Sequence, residues 1–161
     1  MEIKDIIEKL SSYNIFNYLL PGAAFCVISE KISDLNLVQD NVLNAFFVYY
    51  LVGMIISRVG SIVIEPVLKT TKFVRFADYS KYVNKSKEDP LLSTLSEQNN
   101  TYRSLLSMFV LLAIVDNIEL LKDKIIWLES HISTVLLFGM IILFAFAYRK
   151  QTRYISNRVE K

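Results

Sequence analysis

The sequence predicts an all-α integral membrane protein: a four-helix bundle with an N-terminal amphipathic helix and a short helical cytoplasmic segment. Three observations lead there. More than half of the 161 residues are apolar or aromatic, 53% in all, which is high for a soluble domain of this size. Those residues are gathered into blocks, and the stretch from Asn41 to Ser57 carries no charge. The segments between the blocks differ sharply in their Lys and Arg content, the asymmetry that orients helices across a bilayer.

The first ten residues, MEIKDIIEKL, place Ile3, Ile6, Ile7 and Leu10 at helical spacing. They are mixed in charge and do not read as a cleavable signal peptide. They suit a helix lying on the cytoplasmic surface or one packed on the protein itself. Four apolar segments then approach the roughly 20 residues that a bilayer core about 30 Å thick requires. They cover about 13–29, 42–64, 102–121 and 132–148. The first is short and interrupted by Pro21-Gly22, and is read as a kinked span in preference to a re-entrant one. Pro21 cannot donate to the Asn17 carbonyl and its ring strains the preceding turn. Asn17, Pro21 and Gly22 therefore mark a helix break whose freed backbone needs another partner. Such a break can line a transport path, or be a simple kink or the start of a helix.

Loop charges orient the bundle. The segment of about 67–101 and the start of the third span carry Lys69, Lys72, Arg75, Lys81, Lys85, Lys87 and Arg103, and the basic tail 149–161 carries Arg149, Lys150, Arg153, Arg158 and Lys161. The loop after the first span has Lys31 against Glu30, Asp34 and Asp40, and the one after the third has Lys122 and Lys124 among acids. Both termini are expected in the cytoplasm, with Trp127 at the outer interface. Asp89-Pro90 reads as a helix start, from which an unbroken helix can run into the third span. The interleaved basic and aromatic residues of KFVRFADYSKYV suit an anionic membrane surface or a partner protein better than nucleic acid.

The stretch SRVGSIVIEP sets Arg58, Ser61, Ile62 and Glu65 on one ideal helical stripe, with Glu65-Pro66 expected to end the helix in the cytoplasm. Arg58 can snorkel to the interface. Ionisable groups inside spans more often face protein than lipid, and Gly60 and Ser61 permit close helix approach. Arg58, Gly60, Ser61, Glu65 and Arg103 are therefore read as an assembly site. Arg58 and Glu65 lie about 10 Å apart along the axis, too far for a short pair, so their partners are expected on other helices, with Glu97, Asn99, Asn100 and Arg103 as candidates. Lys69, Lys72, Arg75, Lys81, Arg149 and Lys150 form the expected partner-binding face. Asp116 and His131 are read as surface residues near the outer side, and Tyr49-Tyr50 as packing between helices. With one Cys (Cys26) and one His, no internal disulfide or histidine-rich metal site can form. No nucleotide-binding, zinc or triad pattern is present, and no cofactor or catalytic residue is assigned.

YNIFNYLLPG, ISRVGSIVIEPVLK and FVRFADYSKYVNKSKEDPLLSTLSEQNNTYRSLL together resemble a group of small four-span bacterial membrane proteins that occur among mobile and defence genes. In size and span count the chain looks like the membrane subunit of the Kiwa anti-phage system. That resemblance implies a homo-oligomer in the bacterial inner membrane that holds a cytosolic, DNA-binding partner at the inner face; with a net charge of +2, direct nucleic-acid binding by this chain is not expected. It brings no catalytic residues. The expected function is thus a non-enzymatic scaffold or sensor, with a small oligomeric channel or permeabilising effector as the alternative.

Overall fold

The computed structural model describes residues 14–33, 35–117 and 126–159, and all regular structure among them is helical. The expected N-terminal amphipathic helix and the loop that follows the third apolar segment lie outside the described residues, as do the side chains of Trp127 and Arg158. A π-helical turn, Ile15–Leu19, leads into α1, Leu20–Ile32. Helix α2, Val42–Val59, passes through a second π-helical turn, Gly60–Ile64, into α3, Glu65–Thr70. Helix α4 is Tyr79–Glu88, α5 is Leu91–Asp116 and α6 is Ile126–Val159.

Three helical stretches are long and apolar enough to cross a membrane: Ile15–Ile32, Val42–Thr70 and Ser133–Asn157. Helix α5 is not among them. At 26 residues it has the length, but its first half, LLSTLSEQNNTYR, is largely polar, and only the half beyond Ser104 has the composition of a span.

Local chemistry sets the boundaries. Asn41 caps α2, its side-chain oxygen accepting from the Leu43 and Asn44 amides at 2.9 and 3.2 Å, a favoured way to satisfy first-turn donors. Asp78 does the same for α4. Asp89 accepts from the Leu91 amide at 3.0 Å, and no Gly or Pro interrupts α5 from there to Asp116. Pro66 does not end the second span as expected. The helix runs on to Thr70 because the π turn ahead of the proline absorbs its missing donor. Termination comes at Lys72, whose φ of 58° is the left-handed position of a Schellman ending. Its amide donates to Lys69 O, and the Phe73 amide donates to Leu68 O, both at 3.0 Å.

Both π turns have the same grammar: five π-helical residues, one more residue, then proline (Leu20-Pro21 and Glu65-Pro66). A proline cannot donate to the carbonyl four residues back and its ring presses on that carbonyl. Closing the turn over five residues relieves both conflicts: the Leu20 amide donates to Ile15 O and the Glu65 amide to Gly60 O. Such bulges in α-helices occur often at functional positions.

Helices α1, α2 and α5 pack as a three-helix unit around Phe25, Ile56, Met108 and Leu112. The crossing of α1 and α2 is very close. A Cβ at Gly22 would lie 1.8 Å from Tyr49 O, and one at Gly53 would lie 1.7 Å from Tyr18 O, so only glycine lets these backbones meet. Helix α6 differs. It touches α2 and the second π turn, and Leu136, Leu137, Phe138, Ile141 and Ile142 along its length are exposed.

Candidate functional site

Two polar clusters lie among these helices. The first is neutral and sits at the first π turn. That turn presents Asn17 inward, where it is 1% exposed. Its amide nitrogen donates to Ser57 Oγ of α2 at 3.3 Å, and its oxygen accepts from Ser104 Oγ of α5 at 2.8 Å. Ser57 and Ser104 are buried as well. The Asn17–Pro21–Gly22 break is thus a three-helix junction: the side chain of Asn17 ties the helices, while Gly22 opens the space for α2.

The second cluster is charged and sits at the second π turn. Glu65 is buried, and both of its oxygens are occupied. Oε2 accepts from Arg103 Nη1 of α5 at 2.6 Å. Oε1 accepts from Lys69 at 2.8 Å and from Lys150 of α6 at 3.4 Å. Lys150 Nζ also donates to Ser61 O and Ser61 Oγ at 2.7 and 2.8 Å. A buried carboxylate of this kind is tolerable only with such compensation. Gly60 makes the approach possible, since a Cβ there would lie 2.4 Å from Ser107 Oγ and 3.3 Å from Arg103 Cγ. The Arg103 fork is not fully used, because its Nε is buried without a hydrogen-bond partner among the described residues.

The structure therefore brings together Gly60, Ser61, Glu65 and Arg103 within one chain. Arg58 goes elsewhere, donating to the Tyr18 hydroxyl of the first π turn at 3.2 Å. Arg58 and Glu65 meet different neighbours because the intervening π turn breaks the ideal helical register that placed them on one stripe. Of the candidate partners, Arg103 reaches Glu65, whose other ion pairs among the described residues are with Lys69 and Lys150. Of the expected partner-binding residues, Lys150 points into the protein and Lys69 is divided between Glu65 and the face of the Phe76 ring, 3.9 Å from its centroid. Lys72, Arg75, Lys81 and Arg149 are exposed and pair with no carboxylate among the described residues.

Sequence reasoning missed Asn17 as a side-chain ligand, Ser57, Ser104, Gly53 and the inward role of Lys150. A signal existed for Asn17, since an amide at membrane depth needs partners. None existed for Lys150, which is 85 residues from Glu65. No group of three or more potential metal ligands occurs among the described residues. Beside the charged cluster lies an open groove of about 720 Å³ between the α2–α3 junction and α6, lined among others by Ile62, Lys69, Phe146, Arg149, Lys150 and Arg153. Comparison with family models, curated proteins and solved structures finds no match to this chain.

Proposed function

We propose that this chain is a non-enzymatic, oligomeric membrane scaffold or sensor that holds a cytosolic partner protein at the bacterial inner membrane, in the anti-phage setting its resemblance implies. In this reading α5 supplies the fourth span and the termini face the cytoplasm. The Asn17 and Glu65 clusters tie the helices together and serve the bundle's architecture. Lys72, Arg75 and Lys81, in the segment between α3 and α4 and at the start of α4, are the cations assigned to a partner.

One observation carries this reading. Lys72 occupies the left-handed position that ends α3, where glycine is usual and a side chain costs about 1 kcal/mol. It is exposed and has no carboxylate partner among the described residues, so no ion pair there offsets that cost. A cation held at a glycine position, with Arg75 and Lys81 exposed nearby in the chain, suits an acidic surface on another molecule.

The test is a pull-down from native cytoplasm with the full-length membrane protein and its Lys72→Glu/Arg75→Glu/Lys81→Glu variant. The expected result is a specific captured protein that the variant loses while remaining in the membrane fraction. Equal capture by both forms would sink the reading. A DNA-binding protein encoded beside this chain is the expected partner.

A further inference from the structure

We infer that the groove beside Glu65 is a binding site for the phosphate headgroup of an anionic phospholipid. Lys69, Lys150, Arg149 and Arg153 line it, and Glu65 is the single carboxylate among the described residues that do so. Glu65 is moreover already met by Arg103 from behind, so the groove keeps a positive excess. Arg149 and Arg153 stand one helical turn apart on α6, are exposed, and have no carboxylate partner among the described residues. Their planar guanidinium groups match the geometry of a phosphate diester.

The shape of the site selects a lipid over a soluble anion or an acidic peptide. The groove is bounded by Ile62 and Phe146 as well as by the cations. Phe146 continues, one turn at a time, into the exposed apolar face of α6 at Ile142 and Phe138. A ligand with an anionic head and apolar chains covers both parts, whereas a peptide or free phosphate leaves the apolar wall uncovered. Tyr148 and Tyr154 line the same groove, as amphipathic rings do at a headgroup boundary. Basic pockets between spanning helices bind anionic headgroups in this way. Tyr154 also stacks on Tyr79 of α4, with centroids 5.9 Å apart and planes 17° from parallel, which joins the rim of the groove to the segment between the spans. This inference rests on the apolar helices and the groove, and stands whether or not a partner protein docks on Lys72.

The experiment is native mass spectrometry of the full chain in nanodiscs of mixed phosphatidylglycerol and phosphatidylcholine, released into detergent. Retention of phosphatidylglycerol over phosphatidylcholine by at least about tenfold is expected, falling to parity in Arg149→Gln/Arg153→Gln, as for anionic lipids held by basic pockets. The same loss of exposed charge in Lys72→Gln/Arg75→Gln is expected to leave retention unchanged. Equal retention of both lipids, or an unchanged double arginine variant, overturns the proposal. So does displacement of the bound lipid by millimolar glycerol phosphate, which would mark a soluble ligand, or by an acidic peptide, which would mark a protein site. Unfolding of both variants alongside the wild type separates loss of the site from loss of the fold, and Arg149→Lys/Arg153→Lys is expected to retain part of the selectivity.

Discussion

The Asn17 and Glu65 clusters start from one backbone device and end in opposite chemistry. Each sits at a π turn with a proline two residues beyond its end. At the first, a neutral amide is buried between two serines on two further helices, next to a glycine crossing so close that no side chain fits. At the second, a carboxylate draws in cations from α3, α5 and α6, and an open groove remains beside it. A neutral junction can close completely, whereas this charged one gathers more cations than it neutralises. That surplus is what the proposed headgroup site would use.

The largest effect on this contrast is expected at Glu65. Glu65→Ala leaves Arg103 and Lys150 without their carboxylate in partly buried positions, and is expected to lower stability by about 3 kcal/mol or more, read by reversible unfolding in mixed micelles. It is also expected to loosen α6, which Lys150 ties to Ser61 and Glu65. Gly53→Ala attacks the neutral junction through its packing. With a Cβ 1.7 Å from Tyr18 O, α1 and α2 must separate, and a loss of about 3 kcal/mol is expected in the same assay, at the upper end for overpacking. Asn17→Ala removes the amide but keeps the crossing. Two buried serines each lose a partner, and a loss of about 2 kcal/mol is expected.

Two smaller effects refine the picture. Lys72→Gly places the preferred residue in the left-handed ending of α3, and is expected to raise stability by about 1 kcal/mol while weakening capture of a partner. A gain in stability with unchanged capture would separate the turn from the proposed function. Gly139→Ala lies on α6 where a Cβ meets nothing among the described residues within 4 Å. It is expected to raise stability by about 0.5–1 kcal/mol through helix propensity alone. A loss there would mean that the middle of α6 packs against a second copy.

Much of the helical layout is legible along the chain, because the length of an uncharged run is a direct measure of what can cross a bilayer. The partnership of Glu65 and Arg103 is legible too, since an ionisable group near membrane depth needs a counter-charge and few candidates enter at that level. The stripe from Arg58 to Glu65 fails because it assumes the uniform steps of an ideal helix, and the π turn Gly60–Ile64 interrupts them. Pro66 reads as a helix end for the same reason. Gly53 looks like one more small residue in an apolar run, since nothing in its neighbours says that Tyr18 O will lie against it.

Composition along the chain was enough to establish that it is helical, where its long apolar stretches fall, and which of its loops are basic. The bilayer or the backbone reads these properties locally, so no knowledge of packing is needed. Three-dimensional packing was required to learn that Asn17 joins Ser57 to Ser104, that Lys150 returns to Glu65, and that Arg149 and Arg153 face a groove. Those pairings depend on the relative rotation of helices far apart in sequence, and that rotation is set by two π turns and the glycines at the helix crossings, acting through close contact.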